Sequence, residues 1–128
     1  MKVFGLTGIS KRVIDELVEH GVKTIELRSS QNVLAASRAE VGELVFLTPH
    51  SPEELVPGAE GVLARIMEKH LGFRRIGVFS QEESEEREVL VARLKLSLVN
   101  ICRASTYEAR EEFREVKFHF SASTFECW

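Results

Sequence analysis

Residues 10–29 read SKRVIDELVEHGVKTIELRS, and this stretch decides the fold class. Val13, Ile14, Leu17 and Val18 fall on one helical stripe, with Lys11, Arg12, Asp15, Glu16 and Glu19 on the opposite face, so 10–20 reads as an amphipathic helix. Ser10 has the chemistry of an N-cap acceptor, and Gly21 suits the left-handed residue that ends a helix. The pattern then changes period. In KTIELRS, 23–29, Thr24, Glu26 and Arg28 share one face against Ile25 and Leu27, as a half-buried strand requires.

Working outward, ELVFLT at 43–48 reads as a second strand, rich in apolar and β-branched residues. Pro49, Pro52 and Pro57 make 48–61 a long connection, in which Ser51, Pro52 and Glu54 have the spacing of a single helical turn. GVLARIMEKHL, 61–71, fits helix or strand by periodicity, and Gly61 with its Val and Ile neighbours favours strand. RRIGVFS, 74–80, reads as a strand and QEESEERE, 81–88, as a charged hairpin tip. Leu90 to Leu98 alternate on even positions, and the apolar phase then moves to Val99 and Ile101, the mark of a β-bulge or a strand end. Ser105 and Glu108 have capping-box spacing before Ala109, Phe113 and Val116, which predicts a second short helix near 106–115. Val116, Phe118 and Phe120 alternate in a last strand. Five or six short strands with two helices predict an α+β chain, mainly β and curled toward a small barrel.

The 128 residues, 44% hydrophobic and 29% charged, fit a single domain over 1–128. A chain of this length buries roughly two thirds of the surface it exposes when unfolded, enough for a core without disulfides or a structural metal. Seventeen Lys and Arg against 20 Asp and Glu give a net charge of −3, which excludes the overall positive field of a nucleic-acid coat protein and leaves room for a local basic patch. No apolar run approaches the roughly 18 residues of a membrane span, and MKVFGLTGIS is too polar for a signal peptide, so a cytoplasmic protein without a membrane partner is expected. Cys102 and Cys127 form no CxxC pair and are expected to be reduced and structural. His20, His50, His70 and His119 lack ligand spacing, so neither metal nor cofactor is expected.

Residues 21–28, GVKTIELR, match the GxKxxExR signature of ASCH domains, a branch of the PUA-like superfamily. Four fixed positions would coincide by chance in about one chain of this length in a thousand. VGELVFL, 41–47, resembles the strand entry that follows the motif in that family. The whole chain also resembles a family of archaeal proteins of this length with no assigned activity. The ASCH resemblance implies a small barrel with the motif opening its first strand, and an RNA or nucleotide-like ligand; certain members hydrolyse N4-acylated cytidine. In those hydrolases the motif Lys works with a Thr three residues later. Lys23 matches the Lys, whereas Glu26 stands at the Thr position.

Lys23, Glu26, Arg28 and Arg65 are therefore the candidate ligand-binding residues. Lys23 stands where helix gives way to strand, from which its ammonium can meet a phosphate, and Arg28 can fork onto phosphate or base edges. Glu26 and Arg28 equally suit a structural ion pair. Arg65, between apolar Ala64 and Ile66, would need a partner if buried, which ranks it above Arg74. Arg38, Arg75 and Arg103 are further cations, and Tyr107 and Trp128 the non-Phe stacking candidates. The leading reading is an RNA- or nucleotide-binding module bordered by the Pro-rich segment 49–57. A modified-nucleoside hydrolase, with Lys23 and Glu26 catalytic, is the second reading, and a protein-interaction module the third.

Overall fold

The computed structural model describes residues 2–79, 84–104, 106–110, 115–119 and 126–127. In chain order these form β1 (Lys2–Leu6), α1 (Lys11–His20), β2 (Val22–Leu27), α2 (Ser30–Arg38), β3 (Leu44–Leu47), a 3-10 turn (Pro52–Glu54), β4 (Glu60–Phe79), β5 (Ser84–Arg103), β6 (Thr106–Arg110), β7 (Glu115–His119) and β8 (Glu126–Cys127). The strands make one sheet in the order β2-β5-β4-β3-β1-β7-β6, with β8 also paired to β5. β1 and β3 run parallel and the other pairs antiparallel.

The α+β class fits, but the strands are not closed into the expected barrel. Among the described residues the pairing path starts at β2 and ends at β6, with no ladder joining those two. The helix expected near 106–115 is also corrected. Thr106–Arg110 is strand, with Tyr107 opposite Phe118 and Ala109 opposite Val116, so ladder bonds to β7 override the local capping-box signal; 111–114 lie outside the described residues. The second helix is instead α2. β1 is a further strand, parallel to β3 at the centre of the sheet.

Strict alternation sorts the sheet into two faces. Val45 and Leu47 of β3, Val62, Ala64 and Ile66 of β4, and Leu94 and Leu96 of β5 join Ile14 and Leu17 of α1 and Val33 and Ala36 of α2 in the main core. Phe46, Leu63 and Cys102 point the other way, into a smaller core closed by Leu55 and Ala59 of the long connection. Gly61 is needed there, because a Cβ would stand 2.6 Å from Phe46 Cζ and against the Leu47 carbonyl oxygen. The register shifts between Leu63 and Ala64, which leaves Val99 as the extra residue on β5 and accounts for the change of phase at that point. Gly21 ends α1 at φ 77°, its N–H donating to the Leu17 carbonyl.

β4 and β5 pair along their whole lengths, Glu60 with Arg103 and Phe79 with Ser84, so 61–71 and 74–79 are one strand. Beyond Leu71, opposite Ala92, the ladder continues without β2 or β3, as a two-stranded ribbon roughly 25 Å long. Ser84–Glu88 of the expected charged tip lie in its second strand, and 80–83 fall outside the described residues.

Candidate functional site

β2 stands at one end of the sheet, and a groove of about 710 Å³ runs along it. Lys23 to Arg28 form one wall; Thr7–Ser10 and Ser29–Asn32 form the other, with Pro52 at the rim. The Pro-rich connection thus borders the groove through Pro52, while Pro49 and His50 line a separate pocket beside α1.

The second wall is fixed by backbone bonds. Asn32, buried in the first turn of α2, accepts the Thr7 N–H at 3.0 Å and donates to the Thr7 carbonyl at 2.8 Å. Gly8 N–H donates to His50 O at 2.9 Å and Ile9 N–H to Thr48 O at 3.1 Å. Gly8 takes φ 63°, a conformation that L side chains rarely adopt. Both helices begin at this groove. Ser29 caps α2, its hydroxyl accepting the Asn32 N–H at 3.2 Å. Ser10 stands at the N-cap position of α1, but its side chain makes no capping bond, contrary to the sequence expectation. Neither helix has an acidic residue in its first turn, so the partial positive charge of each start is left to the groove.

Lys23, Glu26 and Arg28 all line the groove, in two separate ion-pair clusters. Lys23 Nζ, about a quarter exposed, donates to Glu16 Oε2 of α1, and Arg12 Nε holds the other Glu16 oxygen at 3.1 Å. The hydrogen bonds from Lys23 and then Arg12 keep the Glu16 carboxyl below the usual carboxylate range. Arg28 donates to Glu26 Oε2 from Nε at 3.2 Å and Nη2 at 2.9 Å. Arg74 Nη2 lies 2.9 Å, and Arg93 Nη2 3.8 Å, from Glu26 Oε1, which is shielded from solvent and has no aligned hydrogen bond. The Arg28 bonds hold the Glu26 carboxyl below its usual range; desolvation opposes them, and the charges of Arg74, Arg28 and Arg93 reinforce them.

Arg65 is not part of this arrangement. It is exposed, two rows away on the outward face, and its Nη1 donates to the Gly42 carbonyl at 2.6 Å. Alternation turns it away from the core that holds Ala64 and Ile66, so the burial that ranked it above Arg74 does not occur. Arg103 pairs with Glu60 at 2.8 Å, far from the groove in register. Sequence reasoning missed Arg93 and Asn32. The register aligns Glu26 with Arg93 and Arg93 with His70, a juxtaposition that alternation within one strand does not disclose. Phe73 is 72% exposed, so the stacking-capable aromatic among the described side chains is a Phe; the side chain of Tyr107 and all of Trp128 lie outside the description. Among the described residues no group of three His, Cys, Asp or Glu is placed to hold a metal, and no helix is long and apolar enough to cross a membrane.

The sequence pattern of the family described as Protein of unknown function (DUF473) matches residues 1–118. An uncharacterized protein of Methanocaldococcus jannaschii is 31% identical over 109 residues, 85% of this chain and 68% of its own length. No solved structure matches the chain.

Proposed function

The chain belongs to this DUF473 family, and from that premise we propose that it is an RNA- or nucleotide-binding module whose ligand lies in the groove beside Lys23, Glu26 and Arg28. One observation carries the reading: two helix starts without acidic first turns and two cationic side chains, Lys23 and Arg28, face one groove. Helix N–H groups and cations together favour a phosphate oxyanion. A groove of about 710 Å³ has room for a nucleotide. The GxKxxExR resemblance to ASCH domains supports the same ligand class, since the motif supplies one wall of the groove.

The hydrolase alternative lacks a comparable observation. A general base works best with a pKa near the working pH, and Glu26 is pushed the other way by its arginines. The protein-interaction reading has the outer edge of β2 and exposed apolar side chains such as Phe73 and Leu90 in its favour, with nothing among the described residues to say what would cover them.

Fluorescence anisotropy with a labelled single-stranded RNA, at low and physiological salt, tests the proposal. The wild type binds saturably, and Lys23→Ala/Arg28→Ala binds at least about tenfold more weakly, the loss expected for a charge-assisted contact. Equal binding by wild type and double variant overturns the reading.

A further inference from the structure

The arginines around Glu26 exceed what one carboxylate neutralises. Arg28 follows β2, Arg74 lies on β4 and Arg93 on β5, and among the described residues their ion pairs all converge on Glu26. Among the described residues two positive charges remain. The three side chains are 58%, 43% and 55% exposed, and each guanidinium carries five N–H donors, more than Glu26 can take up. An ion pair serving only to hold β2 against β5 would need one guanidinium, and exposed pairs contribute little stability in any case.

Arg74 and Arg93 flank a recess of about 220 Å³ at the root of the ribbon. Gly72, where an added Cβ would meet nothing within 4 Å, lines it together with the buried Val91 opposite in register. His70 lines it as well. Glu26 lines both the recess and the groove, so the two are contiguous across one side chain. Positive charge therefore continues from Lys23 and Arg28 onto the open face of the sheet, farther than a single nucleotide in the groove would use.

We propose that the ligand is a single strand of RNA several nucleotides long, and that Arg74 and Arg93 hold its phosphates where it leaves the groove and crosses the root of the ribbon. This rests on the reading of the groove given above and names the ligand of that same site. Phosphodiesters carry one charge per nucleotide, and guanidinium groups hold them in forked geometry. Apolar Gly72 and Val91 leave a shallow seat for a sugar or base between the two arginines.

The experiment compares uridine monophosphate, a dinucleotide, a tetranucleotide and an octanucleotide on wild type, Arg74→Gln/Arg93→Gln and Lys23→Ala/Arg28→Ala, each over a salt series. Wild-type affinity rises from mononucleotide to octanucleotide. Arg74→Gln/Arg93→Gln weakens the octanucleotide by about tenfold or more, a larger factor than for the mononucleotide, and lowers the slope of log affinity against log salt by about 1.4, the value for two phosphate contacts on a single strand. An unchanged slope, or wild-type affinity that does not rise with length, overturns the proposal. So does polyglutamate that competes as well as RNA, since it would show an acidic protein segment as the fitting partner. Octanucleotide binding that depends on Arg74 and Arg93 but ignores Lys23→Ala/Arg28→Ala overturns the groove reading and leaves the arginine track standing. Circular-dichroism melting at wild-type temperature shows that the glutamine variants are folded.

Discussion

The outward face of the sheet has two ends that obey the same alternation and carry opposite chemistry. At the end covered by the connection 48–61, Phe46, Leu63 and Cys102 are buried against Leu55 and Ala59. At the bare end, Arg65, Arg93, Glu26 and Arg74 occupy the equivalent outward positions of β2, β4 and β5. Both ends share β4 and β5, so strand type does not decide which residues are apolar. What lies over the strand decides it. The covered end stabilises the molecule, and the bare end is the one we propose meets a ligand.

The strongest way to break this contrast is to remove bulk at the covered end. Phe46 is fully buried, and Phe46→Ala should cost about 3–5 kcal/mol in urea unfolding, against about 0.5–1 kcal/mol for Arg65→Ala at the bare end. Similar costs at the two positions would contradict the division. Next in size is the clasp that holds the groove wall. Asn32→Ala leaves the buried Thr7 N–H and carbonyl unpaired, a loss of about 2–4 kcal/mol that the same unfolding curves would register. An unaltered midpoint would show that the wall is not held there.

The smallest expected effect sharpens the comparison through pH. Glu16 and Glu26 are held below the ordinary 4.5 in the folded chain, so the unfolded chain binds their protons more readily. Their contribution is fully present above about pH 4.5 and is lost as pH falls through the lowered values. Melting temperature should fall over that acid range, and Glu16→Gln and Glu26→Gln should each flatten the fall. An acid limb unchanged by both substitutions would show that the clusters add nothing to stability.

What sequence discloses about this molecule is what lies within one segment. The stripe of α1, the stop at Gly21, the alternation of β2 and the bulge at Val99 are local and legible. α2 is not, because its buried face includes Asn32, whose partner Thr7 belongs to the loop before α1, along with small alanines that give a weak stripe. The helix expected near 106–115 rested on local spacing that pairing with β7 overrides. At the site, Lys23, Glu26 and Arg28 are contiguous in sequence and line one groove, whereas Arg74 and Arg93 arrive only through the register of β2, β5 and β4. Arg65 misled because apolar neighbours in a strand point to the other face.

The central claim is that the ligand occupies the groove between β2 and the two helix starts. Titrating isotope-labelled protein with a short single-stranded RNA and following backbone amide shifts by NMR tests it most directly. Saturable shifts concentrated in residues 7–10 and 23–32, absent in Lys23→Ala/Arg28→Ala, are expected. Saturable shifts confined to the covered end around Phe46, Leu55 and Leu63, or no saturable shift at all, would contradict it.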